Sequence, residues 1–130
     1  MSVPVLVDRS WYFVEAAEGR DPLHGLAFMA ESRDIATCGL IRAEVGRRVC
    51  DDRALERFCQ AFEAMVNVPS TPDCWERTMN LGRLLDQRGH CVPLPELHVA
   101  TCALSIGAVV LTYEPLYEKI PGLSATDRIY

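Results

Sequence analysis

The apolar positions along the chain change period several times, and each change marks an element. Val3-Pro4-Val5-Leu6-Val7 is a short unbroken apolar run closed by Asp8, which predicts a strand buried on both faces. Ser10 then caps a short helix through Trp11, Phe13 and Val14 to about Ala17, and Glu18-Gly19-Arg20-Asp21-Pro22 is a turn. Leu23, Leu26, Ala27 and Ala30 recur at helical spacing and predict a second helix over about 22–32. Ile35-Ala36-Thr37-Cys38 reads as another strand, and Gly39 opens a helix through Ile41, Val45 and Val49 with Glu44 in its middle.

The clearest stripe is Leu55, Phe58, Cys59, Phe62, Met65 and Val66, one face of a helix that Asp51 or Asp52 can cap. Asn67-Val68-Pro69 is a brief extended link. Ser70-Thr71-Pro72-Asp73 combines a hydroxyl cap, a first-turn proline and an acid at the positive end, so a helix starts there and runs through Trp75, Met79, Leu81 and Leu85 to Gly89. Trp75, Phe58 and Phe62 are expected as core aromatics. Pro95 and Glu96 open a further helix, Leu97 to Ile106, apolar on nearly all faces and therefore buried. Gly107 closes it, Ala108-Val109-Val110-Leu111-Thr112 is the last strand, and Pro115 to Ile120 makes a short helical turn. Strands alternating with helices imply an α/β fold with a short central parallel sheet flanked by helices on both faces. With no repeat, linker or low-complexity tract, residues 1–130 are expected to form one domain.

Composition changes this picture little. With 13 basic and 18 acidic residues the net charge is −5, which disfavours indiscriminate coating of nucleic acid but permits a local basic rim. Twelve of the 13 basic residues are arginine, a side chain suited to bidentate phosphate contacts. The six cysteines, at 38, 50, 59, 74, 91 and 102, show no Cys-x-x-Cys and no histidine at zinc spacing, so they read as reduced thiols of a cytoplasmic protein. The opening residues lack the form of a signal peptide, and the uncharged stretch His98–Tyr113 is too short to span a membrane.

The chemistry lies in four carboxylates. Asp8 ends the first strand and Glu114 follows the last, so both point to the crevice beyond the carboxyl ends of a parallel sheet. Glu44 and Glu96 come from helices. Clustered acids attract a divalent cation, which can orient water and neutralise charge on a scissile phosphate. Each acid also has a plainer reading: Glu44 has Arg47 and Arg48 at ion-pair spacing, and Glu96 is an ordinary first-turn acid. Asp8 is the hardest to assign to the surface. His24, His90 and His98 show no ligand spacing. A haloacid-dehalogenase-type phosphatase would require Asp at position 10, where Ser stands, and a response receiver a lysine after the last strand, where Glu114 and Pro115 stand.

Four blocks in register carry a resemblance: Val5-Leu6-Val7-Asp8-Arg9-Ser10-Trp11; Ile35-Ala36-Thr37 with Leu40-Ile41-Arg42-Ala43-Glu44-Val45; Arg88 to Leu104 around Pro95-Glu96-Leu97; and Gly107 to Glu114 with Tyr117 and Ile120-Pro121-Gly122-Leu123. Together they resemble a PIN domain, more narrowly a VapC-like toxin of a bacterial toxin–antitoxin pair, over nearly the whole chain. The family usually has Asp at 96 and 114 and Thr or Ser at 9, where this chain has Glu96, Glu114 and Arg9. The resemblance implies a Mg²⁺- or Mn²⁺-dependent ribonuclease with Asp8, Glu44, Glu96 and Glu114 as metal ligands and catalytic acids, Glu114 either completing the cage or orienting the attacking water. Ser10 and Thr112 would fix their rotamers; Arg9, Arg42 and Arg47 are the candidates for RNA phosphate contacts, with a solvated face as the plainer reading of Arg42, Arg47 and Arg48. It further implies an antitoxin partner, whose peptide would fill an apolar groove and bring a basic side chain to the acids, and a homodimer. The three exchanges leave a second reading open, a PIN-fold binding or regulatory module without nuclease activity. Arg9 either swings in to neutralise the acids or points out to grip RNA.

Overall fold

The computed structural model describes residues 2–129. Strand β1 (Val5–Val7) is followed by helices α1 (Arg9–Ala17) and α2 (Pro22–Ala30), β2 (Ile35–Cys38), α3 (Gly39–Gly46), α4 (Asp52–Glu63) and β3 (Val66–Val68). Then come α5 (Pro72–Gln87), α6 (Leu94–Ser105), β4 (Val109–Leu111), a 3-10 turn (Pro115–Lys119) and β5 (Ala125–Thr126). The strands form one parallel sheet in the order β3-β2-β1-β4-β5. Val5 faces Ile35 on one side and Val109 on the other, which fixes the register at the centre.

Successive strand residues point to opposite faces, yet Val5, Leu6 and Val7 are all fully buried. Both faces of the sheet are therefore covered, as the unbroken apolar run requires. Tyr12, Phe58 and Phe62 meet edge-on near 6 Å, tying α1 to α4. Helix α6 is buried from Glu96 to Ala103 and packs against α5, β4 and the 3-10 turn. At its closest approach to α5, a Cβ on Gly82 would stand 3.0 Å from Leu97 Cδ1, so this position has room only for glycine without a shift of Leu97.

Four expectations are corrected. Asn67-Val68 belongs to a strand rather than a link, because β3 pairs with the Ala36–Cys38 stretch of β2. A further strand, β5, pairs with β4 beyond the last strand expected. The cap of α1 is Asp8 rather than Ser10, since the Asp8 side chain accepts from the Ser10 amide. Trp75 is 43% exposed instead of in the core: α5 buries the opposite stripe, Cys74, Thr78, Gly82 and Leu85, and Trp75 lies flat on the His98 ring.

Candidate active site

The chain leaves β1 for β2 on one side of the sheet, while β4 lies on the other. The crevice at this reversal, beyond the carboxyl ends of the strands, is where open α/β sheets bind ligands. Asp8 stands at its floor, 3% exposed. Its backbone N–H donates to Leu111 of β4, and its carboxylate is held from all sides. Oδ2 accepts from the Ser10 amide (3.2 Å), the Ser10 hydroxyl (2.7 Å) and the Thr112 hydroxyl (2.9 Å); Oδ1 accepts from the Tyr117 phenol at 2.8 Å. Burial and the Asp8 charge both hold the Tyr117 phenol above its ordinary pKa, so it remains a donor.

Two helices bring further acids to this point. Helix α3, which follows β2 without a break, presents Glu44, and the first turn of α6 presents Glu96, 7% exposed. Arg9, the residue after Asp8, lies between them: its guanidinium donates to Glu44 through Nη1 and to Glu96 Oε1 through Nη2 at 2.9 Å. Burial opposes the charge on Arg9, but Glu44, Glu96 and Asp8 outweigh it and raise its pKa. For Glu44 burial prevails: its pKa is raised, with Arg9 pulling it down and Asp8 and Glu96 adding to the rise. Three acids and one arginine thus share a single electrostatic site.

Glu114 faces elsewhere. It caps the 3-10 turn, accepting from the Leu116 amide at 3.4 Å, and lines a separate polar hollow with Thr112, Glu118 and Asp127. Ser10 and Thr112 stand where their sequence role requires, hydrogen-bonded to each other at 2.9 Å and to Asp8. Of the arginines considered for phosphate contacts, Arg9 is turned inward, and Arg42 pairs with Glu63 over the Phe62 ring. Arg47 is exposed at the end of α3. Sequence reasoning gave Tyr117 no role; its place three residues after Glu114 was visible, but only the 3-10 turn directs its hydroxyl onto Asp8.

The donor set suits a hard divalent cation, which takes carboxylate oxygens. One observation points the same way: Glu96 Oε2 is buried with no hydrogen-bond partner, an acceptor left unused. The same acids already have one cation, Arg9, whose side chain is 35% exposed and occupies the place between Glu44 and Glu96 that a metal would take.

This architecture is that of the PIN-like α/β fold. No family model matches the sequence, and no curated protein matches it. Among solved structures, the chain is similar to VapBC2 from Rickettsia felis bound to a DNA fragment from its promoter (TM-score 0.76, 16% identity, 95% of this chain and 98% of that one). It is similar to DNA-bound VapBC from Salmonella typhimurium (TM-score 0.75, 15% identity, 96% and 98%). It is also similar to VapC20 of Mycobacterium tuberculosis, a sarcin-ricin loop cleaving toxin (TM-score 0.62, 16% identity, 85% and 90%). At these identities the likeness is one of fold.

Proposed function

We propose that this chain is a metal-dependent endoribonuclease acting as a VapC-like toxin. The observation that carries the reading is the convergence of buried Asp8 with Glu44 and Glu96 at the carboxyl end of β1, where Arg9 joins Glu44 to Glu96 and the Asp8 charge is felt by both Arg9 and Glu44. A Mg²⁺ or Mn²⁺ ion held by these acids supplies Lewis acidity toward phosphate and an activated water. Asp8 is held rigidly by Ser10, Thr112 and Tyr117, and Oδ1, with the single Tyr117 donor, keeps more acceptor capacity than Oδ2. Glu96, in the first turn of α6, offers its unpaired Oε2. Arg9 leaves the acids and meets the RNA phosphate, so one side chain serves as resting counterion and as substrate contact. Glu114 orients solvent at the rim rather than joining the cage. Arg42 and Arg47 extend the phosphate path along α3.

The partner side of the reading rests on an apolar groove of about 320 Å³ between α2 and α4, lined by Leu23, Leu26, Ala27, Ala61 and Met65. An apolar antitoxin segment would fill it; several structures of like fold are complexes of a toxin with its antitoxin. No helix among the described residues is long and apolar enough to cross a membrane. The resemblance carries the remaining parts of the reading, a homodimer acting in the cytoplasm.

A second reading has its own observation: Arg9 already neutralises Glu44 and Glu96, and Glu114 is turned aside, which suits a binding module without catalysis. Cleavage of end-labelled structured RNA across a Mg²⁺ and Mn²⁺ titration separates the two. Metal-dependent cutting that disappears in identically purified Asp8→Asn is the expected result. No cutting by the native protein, or equal cutting by both, would overturn the nuclease in favour of the module.

A further inference from the structure

Away from the acids, the seam between α5 and α6 buries three side chains that the nuclease reading does not use. Among the described residues, Cys74, His98 and Cys102 form the group whose potential ligand atoms all lie within 4.8 Å of one another. His98 and Cys102 are one helical turn apart on α6 and so share a face. Cys74, in the first turn of α5, meets them from the opposing helix. Cys74 Sγ lies 3.9 Å from Cys102 Sγ, and Cys102 Sγ lies 3.8 Å from His98 Nε2. Zinc bonds of about 2.3 Å to sulfur and 2.0–2.1 Å to nitrogen, at tetrahedral angles, require separations of ~3.8 and ~3.6 Å. The folded chain already holds two of the separations close to these values, and all three ligand atoms lie within 4.8 Å of one another.

The hydrogen bonds around His98 fix the tautomer a metal needs. The Thr78 hydroxyl spends its proton on the Cys74 carbonyl at 2.9 Å, so toward His98 Nδ1, 3.1 Å away, it can only accept. Nδ1 therefore carries the hydrogen and Nε2 the lone pair, which faces the Ser70 hydroxyl at 2.8 Å and the Cys102 thiol. An imidazole oriented through its other nitrogen is the arrangement usual for a histidine ligand. Trp75 stacks on the ring at 3.8 Å and 9°, and burial keeps His98 neutral by lowering its pKa. Cys74 opens onto a groove of about 220 Å³ with Thr71, Arg77 and Thr101 on its walls, a route from solvent.

The structure assigns Cys74, His98 and Cys102 as a binding site for a thiophilic divalent cation of the zinc type. On binding, two S–H bonds break and two protons leave to solvent, two metal–sulfur bonds and one metal–nitrogen bond form, and no electron is transferred. One M²⁺ with two thiolates is neutral overall, so the buried seam acquires no net charge. The Cys102 thiol is held protonated at rest, chiefly by its hydrogen bond to Cys38 and then by burial, so the ion must displace that proton. Three protein ligands leave a fourth position for Ser70 or a water from the groove. The site clamps α5 to α6 and, through His98, steadies the turn of α6 that presents Glu96.

The test replaces the exposed Cys50, Cys59 and Cys91 by serine, so that surface thiols cannot bind metal. The full-length protein is then titrated anaerobically with Co²⁺ and back-titrated with Zn²⁺. The expected result is saturation at one equivalent with thiolate-to-cobalt charge-transfer bands, a change in Trp75 emission, and a zinc-dependent rise in melting temperature. Cys74→Ser and His98→Gln should each weaken binding by ~100-fold or more. Cys74→Ser is the mild variant, at the edge of the core, and circular dichroism checks its fold. Absence of charge-transfer bands from the serine-substituted parent, a measurement that depends on no core variant, would overturn the site. So would undiminished binding in folded Cys74→Ser.

Discussion

Replacing Arg9 by alanine removes the one cation from the acidic cluster. Its guanidinium is 35% exposed, and it holds side chains 16% exposed (Glu44) and 8% exposed (Glu96). Removing one partner of a fully buried ion pair costs about 3–5 kcal/mol, because a charge is left unpaired in low dielectric. Water reaches a third of Arg9 and screens the pair, which lowers the expected loss to about 1–2 kcal/mol. For a chain of 130 residues the entropy of melting is ~0.27 kcal/mol/K, so the midpoint should fall by ~4–7 °C. The stripped acids then compete for another cation: a divalent ion at about ten times its dissociation constant returns ~1.4 kcal/mol. Calorimetric melting of the native protein and Arg9→Ala, each with and without Mg²⁺ or Mn²⁺, reads both effects. The variant should melt lower in chelator and gain more from metal than the native chain. An unchanged midpoint, or an equal gain from metal in both, would refute the view that Arg9 is the resting counterion of a metal site.

Glu44 has a raised pKa, so the folded state holds its proton more tightly than the unfolded chain; its contribution to stability is fullest below the ordinary value of 4.5 and is lost as pH rises through the raised one. Melting temperature against pH should therefore fall less steeply across that window in Glu44→Gln, and parallel curves would exclude the effect. Tyr117→Phe leaves Asp8 Oδ1 without its donor in a fully buried place and should cost about 1–3 kcal/mol by urea denaturation. The same variant should weaken divalent-ion affinity by ~10-fold or more if Tyr117 positions Asp8, whereas a purely structural role would leave affinity intact. Glu114→Ala removes only a cap and should lower stability by about 0.5–1 kcal/mol. Its RNA cleavage should stay within ~10-fold of native, far above Glu96→Gln; an equal loss in both would return Glu114 to the cage.

The elements legible in the sequence were those whose burial is periodic. The unbroken Val5-Leu6-Val7 run announced a central strand, and the stripe from Leu55 announced α4. The last members of that stripe, Met65 and Val66, lie beyond the helix end at Glu63, and Val66 belongs to β3. What escaped had too little pattern to carry a period. Strand β3 exposes two of its three residues, and β5 has only two, so each exists by pairing with a neighbour rather than by its own sequence. On α5 the larger apolar residues, Trp75 and Met79, marked the wrong face. The buried stripe there consists of Cys74, Thr78, Gly82 and Leu85, and the first three, small or polar, let α6 approach closely. The same small residues create the seam in which Cys74 meets His98, a contact that no ligand spacing along the chain announces.

The site shows the same limit more sharply. Local spacing offers Glu44 the arginines of its own helix, Arg47 and Arg48, yet its partner is Arg9, 35 residues away, and Glu96 is 87 residues from Arg9. Asp8 alone was legible from position, because an acid at the end of a buried strand that also begins a helix has both a crevice and a cap to serve. The exchanges at 9 and 96, which the sequence presents as two separate departures from the pattern it resembles, are one structural event. Glu96 reaches Arg9 Nη2 at 2.9 Å. An aspartate there, shorter by one carbon–carbon bond of ~1.5 Å, would fall short of the guanidinium unless the backbone moved. Conversely, a serine or threonine at 9 would leave the longer Glu96 buried without a positive partner, and Glu44 with it. The extra methylene at 96 and the arginine at 9 therefore depend on each other, and Arg9 offsets part of the cost of burying Glu44 and Glu96. On the proposed nuclease reading, a stronger cation, or a phosphate that draws Arg9 away, would change that balance.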